Sequence, residues 1–119
     1  MGYKSFEELD VWKKACQLSV QVYDVIGESR DFAIRDQITR SVLSIASNIA
    51  EGAERNSRPD FVRFVHIAKG SAAELRTQLY IASKIGVISV EQMNQLVEEC
   101  KGISAMLQAL ARGLSKSSK

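Results

Sequence analysis

The sequence predicts an all-α protein, an antiparallel up-down-up-down four-helix bundle. Two observations carry that prediction. Apolar residues recur at three- and four-residue spacing through four long segments, the period of a helix with one buried face. The connections between the segments are short and polar, which makes successive helices antiparallel neighbours. A single proline in 119 residues leaves the segments uninterrupted, and no strand-type alternation competes.

The first helix is expected to open at Ser5, where Glu8 three residues on completes a capping-box pattern. Its seam reads Leu9, Trp12, Cys16, Tyr23 and Ile26. A second stripe runs through Val11, Ala15, Leu18, Val22 and Val25. Gly27 and the run Glu28-Ser29-Arg30-Asp31 end it. The second helix spans Phe32 to Glu54, with Ile34, Ile38, Val42, Ile45 and Ile49 as its seam. The third takes Ser57 as N-cap and Pro59 in its first turn. Phe61, Phe64 or Val65, Ala68, Ala72, Leu75, Leu79 and Ala82 face the core, and Gly86 stops the helix. The fourth opens at Ser89 with Gln92 in a second capping box. It buries Met93, Leu96, Cys100, Ile103, Leu107, Leu110 and Leu114.

The chain reads as one domain over residues 1–114, with a disordered tail over 115–119. Hydrophobic residues at 45% and charged residues at 25% are ordinary for a soluble globular protein. A net charge of +2 does not identify a nucleic-acid binder, although an oligomer can concentrate charge. Cys16 and Cys100 are too few for a disulfide scaffold and read as small buried hydrophobes at similar heights in the bundle. With no leader pattern and no apolar run near 18 residues, the expected location is the cytoplasm, away from membranes.

Apolar surface exceeds one seam on three helices. Val11, Leu18, Val22 and Val25 are left over on the first, Leu43, Ala46 and Ala50 on the second, and Ile67, Tyr80 and Ile81 on the third. Such a surplus points to a homo-oligomer. Polar residues interrupt the same region. Arg40, Ser44, Ser47, Asn48 and Glu51 share one face of the second helix, and Ser71, Glu74 and Gln78 share one face of the third. Antiparallel packing sets Arg40 level with Glu74, and Glu51 level with Arg63. The expectation is an interhelical or intersubunit polar network that fixes register.

Catalytic and metal chemistry find little support. His66 is the single histidine. A di-iron bundle needs a Glu-x-x-His pair on each of two helices, and Arg63 stands where that glutamate would be. No glycine-rich phosphate loop appears, and His66 has no nucleophile or acid at helical spacing. No cofactor, metal or enzymatic activity is expected. The basic residues show more order. Lys69, Arg76 and Lys84 share a sector of the third helix, and Arg55, Arg58 and Arg63 cluster at the turn before it. Lys13 with Lys14, and Arg112 with Lys116 and Lys119, add further positive ends. At this stage a phosphate-binding surface and a solvated charged face, balanced by Glu54, Asp60 and Glu91, both stand.

Several blocks carry a family resemblance. They are Phe6-Glu7-Glu8-Leu9-Asp10-Val11-Trp12-Lys13-Lys14-Ala15, then Gln37-Ile38-Thr39-Arg40 leading into Ser47-Asn48-Ile49-Ala50-Glu51-Gly52. Phe61 to Phe64, Ile67-Ala68-Lys69-Gly70-Ser71-Ala72-Ala73-Glu74-Leu75 and Gln78-Leu79 complete the set. Together they resemble the four-helix-bundle proteins encoded in intervening sequences of bacterial 23S ribosomal RNA genes. Ala46 departs from the pattern, where such proteins more often carry proline. The resemblance implies a bundle that closes into a ring, a homopentamer. The accessory variability protein of diversity-generating retroelements looks like a relative, a basic pentameric barrel that binds nucleic acid and a reverse transcriptase. By this analogy the chain is a non-catalytic, RNA-binding oligomer using Arg55, Arg58, Arg63, Lys69, Arg76 and Lys84. The alternative is a protein-interaction scaffold that touches no nucleic acid.

Overall fold

Four helices run α1 (Asp10–Ile26), α2 (Phe32–Ala53), α3 (Arg58–Lys84) and α4 (Val90–Lys116), preceded by a single 3-10 turn over Phe6–Glu8. The computed structural model describes residues 3–116. Neighbours in sequence are neighbours in space, and α4 closes back on α1, while no close backbone approach joins the diagonal pairs among the described residues. The result is an antiparallel four-helix bundle of 50 × 19 × 19 Å. The α2–α3 and α3–α4 seams are the broadest, and α1–α4 is the thinnest.

Local chemistry sets the boundaries. Asp31 caps α2 by accepting from the Ile34 N–H at 3.4 Å. The Ser57 hydroxyl caps α3 by accepting from the Asp60 N–H at 3.2 Å, with Pro59 in the first turn. α3 ends in a paired-carbonyl stop. Gly86 takes φ +80°, its N–H reaches the Ser83 carbonyl, and the Val87 N–H reaches the Ala82 carbonyl. Ser89 and Gln92 exchange side-chain and backbone bonds at 2.9 and 3.0 Å, a complete capping box at the start of α4.

Three expectations are corrected. First, Ser5 caps the 3-10 turn through the Glu7 N–H, and α1 begins only at Asp10. Leu9 stays extended, which separates the turn from the helix. The turn is held by Phe6 edge-on to Trp12, with ring centroids 5.3 Å apart. Second, the seam of α1 is the stripe that reads as surplus. Val11, Ala15, Leu18 and Val22 of that stripe are buried and Val25 is half-buried, whereas of the expected seam only Ile26 is buried, Leu9, Trp12 and Cys16 are half-buried and Tyr23 is exposed. α1 packs chiefly on α2, and the Ser19 hydroxyl, donating to the Ala15 and Val42 carbonyls, fixes which face turns inward. Third, α4 continues through Ser115 and Lys116, so these two are helical rather than tail. Residues 117–119 of the expected tail lie outside the described residues.

The core is one continuous cluster drawn from all four helices, with Phe61, Leu18, Ile38, Ile45, Ile49, Leu75 and Leu107 fully enclosed. Leu43, Ile67, Tyr80 and Ile81 remain exposed.

Candidate functional site

Two surfaces bear on function: the outer face of α2–α3, and the face of α3–α4. On the first, the expected polar network resolves into a smaller one. The Ser44 and Ser71 hydroxyls meet across the helices at 2.8 Å. Asn48 Nδ2 donates to the Ser44 hydroxyl at 2.9 Å and to the Ser44 carbonyl at 2.8 Å. Ser71 is buried, and Ser44 and Asn48 are half-buried. These three residues satisfy one another across a seam where a stranded polar group would cost roughly 1–3 kcal/mol.

The charged members do not join them. Arg40, Ser47, Glu51 and Glu74 are solvent-exposed, and no ion pair links Arg40 to Glu74. Their levels match, but both side chains project outward from the seam. Glu51 pairs instead along its own helix with Arg55, at 3.1 Å, because a residue four positions on lies on the same face. Arg63 turns to the Phe64 ring, its guanidinium 4.8 Å from the centroid. Gln78 is half-buried, with an enclosed Oε1 that has no hydrogen-bond partner.

A contrast of two substitutions checks this division. Ser71→Ala is expected to lower stability by about 1 kcal/mol, since it removes the interhelical bond. Glu74→Ala should change protomer stability by less than about 0.5 kcal/mol, the usual range for an exposed side chain. Urea unfolding of both variants measures the difference, and equal effects would refute the assignment.

The six basic candidates split into two groups. Arg55 and Arg63 both lie over the Phe64 ring, at 4.7 and 4.8 Å from its centroid. Two like charges are thus held beside one aromatic at the α2–α3 turn, each favoured by the ring's electron-rich face. Arg58, Lys69, Arg76 and Lys84 fall along α3, toward α4. Lys69 donates to the Gln108 Oε1 of α4. Arg76 lies near Cys100, and Lys84 ends the helix in the exposed state.

Beside them sequence reasoning passed over a stronger signal. Between Phe61 and Ala73 on α3, and between Cys100 and Lys116 on α4, there is no aspartate or glutamate. Those two stretches carry Arg63, His66, Lys69, Lys101, Arg112 and Lys116. They lie antiparallel, as the Lys69–Gln108 bond and the Cys100 thiol donating to the Ala72 carbonyl establish. His66, Arg112 and Lys116 are exposed on this half of the bundle. The pattern was readable only once the two helices were known to be neighbours.

The cysteines do not meet as a redox pair. Cys16 is half-buried and Cys100 buried, and both are free. Burial pushes the Cys100 thiol up to about 11, against a smaller opposing pull from Arg76, and burial raises Cys16 as well. Neither is poised as a thiolate near neutral pH. Among the described residues no group of three or more His, Cys, Asp or Glu could hold a metal ion. No helix among them is long and apolar enough to cross a membrane.

Comparison with known proteins agrees with this architecture. A crystal structure of a protein of unknown function from the S23 ribosomal protein family of Bacteroides thetaiotaomicron is similar, with a TM-score of 0.80 and 27% sequence identity. The similarity covers 85% of this chain and 97% of that one. No curated protein matches. The model of the 23S rRNA-intervening sequence protein family matches residues 7–109. With that match running from the 3-10 turn into the last third of α4, the chain belongs to the 23S rRNA-intervening sequence protein family.

Proposed function

We propose that this protein is a non-catalytic, homo-oligomeric helical bundle that binds RNA in the cytoplasm through the basic face of α3 and α4. The observation that carries the reading is the run of cations without carboxylates over Phe61–Ala73 and Cys100–Lys116. Phosphate binding draws on clustered Lys and Arg, and an interspersed carboxylate would cancel their field. Carboxylates border the two stretches, with Asp60 just before Phe61 and Glu98 paired with Lys101 at 3.8 Å, so the reading rests on Arg63, Lys69, Arg112 and Lys116. Arg63 at the Phe64 ring extends the same face, while Arg55 beside it is paired with Glu51.

Self-association rests on the other face. Exposed Leu43, Ile67 and Ile81 share the bundle with outward-facing Arg40, Ser47, Glu51 and Glu74 and with the unpartnered Gln78 Oε1. A second copy laid there would cover apolar surface and offer Gln78 a donor. A ring of five is the assembly the family resemblance implies.

The test combines light scattering after size exclusion with RNA titration. A ring-sized particle should bind structured RNA, and binding should weaken as salt rises. The triple variant Lys69→Glu, Arg112→Glu, Lys116→Glu should keep its helical circular dichroism and lose about a hundredfold or more in affinity. Its salt dependence should become shallower by about two to three units of slope, roughly 0.7–0.9 per phosphate contact removed. Unchanged affinity would sink the RNA reading. Exposed Phe32, Ile85 and Val90 at the opposite end of the rod favour a second reading, a scaffold that docks another protein. A ring indifferent to RNA would support it.

A further inference from the structure

His66 is the single histidine of the chain, and it is exposed. Its imidazole makes no hydrogen bond or ion pair with any described residue. On α3 it stands three residues from Arg63 and three from Lys69, which makes it the surface neighbour of both. The Lys69–Gln108 bond fixes its level against α4. One turn back along α3 corresponds to one turn on along antiparallel α4, so His66 is about level with buried Ala111 and exposed Arg112. The charges closest to it are cations. The nearest carboxylates of α3 are Asp60, six residues before, and Glu74, eight residues after. α4 offers Arg112, then Lys116 and the paired Lys101, with no carboxylate over Cys100–Lys116. α2 packs on the flank of α3 that carries Ser71, and of its exposed Glu51 and Glu54 at this end of the rod the first is paired with Arg55. α1 makes no close backbone approach to α3.

We infer that His66 is a phosphate contact of this face that engages in its protonated form, so that acidification strengthens RNA binding. The inference rests on the RNA-binding reading above and names a regulation of that same face. A neutral imidazole donates one hydrogen bond and carries no charge, whereas the protonated ring donates two and is a cation. Histidine is the side-chain type that ordinarily makes this change between about pH 5 and 8. Both thiols of the chain are pushed up by burial, away from that window. The phosphodiesters of RNA keep their charge throughout it. A phosphate held beside an imidazole favours the charged ring, so proton and RNA promote each other's binding to the same extent. A carboxylate beside the ring would take the place of the phosphate, and the flank that His66 shares with Arg63, Lys69 and Arg112 has none. The neighbouring arginines and lysines carry their charge at every pH in this range, which leaves His66 as the variable member of the face.

The experiment uses the full chain and fluorescence anisotropy with a rhodamine-labelled RNA hairpin that has hydroxyl ends, at low salt and at about pH 8 and about pH 5.5. The unaltered protein should bind about threefold to tenfold more tightly at the lower pH, and its salt dependence there should steepen by about 0.7–0.9 units of slope, the signature of one added phosphate contact. His66→Gln should bind with one affinity at both pH values. His66→Lys should also be indifferent to pH, at the tighter affinity that the unaltered protein reaches when acidified. Both substitutions fall at an exposed helical position that tolerates them. Equal binding by the unaltered protein at the two pH values overturns the inference and leaves the basic surface standing. So does a pH dependence that survives His66→Gln, or a His66→Lys protein that binds no more tightly than His66→Gln. Absence of binding at either pH overturns the RNA reading and this inference together.

Discussion

Replacing Leu18 with alanine should lower the unfolding free energy by about 3–4 kcal/mol. Leu18 is fully enclosed between α1 and the rest of the core. Truncating a buried leucine loses the transfer free energy of its methyl groups and leaves a cavity that the surrounding helices fill only in part, at a typical cost of roughly 2–5 kcal/mol. For a domain whose whole stability is about 5–15 kcal/mol, that is a large fraction. Tyr23→Ala offers the contrast. Tyr23 is 46% exposed on the same helix, so its truncation should cost less than about 1 kcal/mol. Urea midpoints of the two variants decide between the stripes of α1. If Tyr23→Ala proved the more damaging, Leu18 would not be the core residue of this helix.

That contrast marks where the sequence was ambiguous. On α2, α3 and α4 the seam that the spacing names is mostly the buried one, Ile38, Val42, Ile45 and Ile49 on α2 for example, although the named Ile34, Met93 and Leu110 are only half-buried. α1 carries a wide apolar sector opposite a polar one formed by Asp10, Lys13, Lys14, Gln17, Gln21 and Asp24. Periodicity then gives two stripes of similar strength, and neither names the inner one. The choice is made by tertiary contact, such as Ser19 bonding to the Val42 carbonyl. Helix ends were easier. Ser57 and Ser89 cap by purely local chemistry, whereas Ser5 caps a 3-10 turn that local rules do not separate from an α-helix.

The surfaces were legible in part, for a related reason. The polar faces of α2 and α3 were expected to meet, and of their members Ser44 and Ser71 do. Matching levels suggested Arg40 with Glu74, which stay apart. Level fixes height along the rod, but contact also needs the side chains to share an azimuth toward the seam. Ser44 and Ser71 are small and point inward, and Arg40 and Glu74 lie further round, in solvent. The acid-free face of α3 and α4 escaped a reading made helix by helix, since each helix contributes only half of it.

Gly52→Ala is expected to destabilise the protein by about 2–3 kcal/mol, against the ordinary trend for a helical glycine. A methyl group normally favours a helix by about 1 kcal/mol over glycine. At position 52 an added Cβ would stand 2.6 Å from the Cβ of Phe64 and 3.0 Å from the Phe61 ring. The first contact cannot be relieved by rotating a side chain, because a Cβ moves only with its backbone. α2 and α3 would have to separate at the turn that joins them, and forcing an extra methylene into a packed seam costs roughly 1–3 kcal/mol, occasionally more. Gly102→Ala is the control. It lies mid-α4 with nothing within 4 Å of the new Cβ, and should stabilise by about 0.5–1 kcal/mol. Thermal unfolding followed by circular dichroism should therefore move in opposite directions for the two variants, by roughly 4 °C per kcal/mol. The same substitution bears on function. Phe64 carries the Arg55 and Arg63 guanidiniums, so pushing its backbone away from α2 displaces both cations. Gly52→Ala protein that remains folded at low temperature should bind RNA more weakly than its unchanged charge suggests, and wild-type affinity in that variant would uncouple the turn from the binding surface.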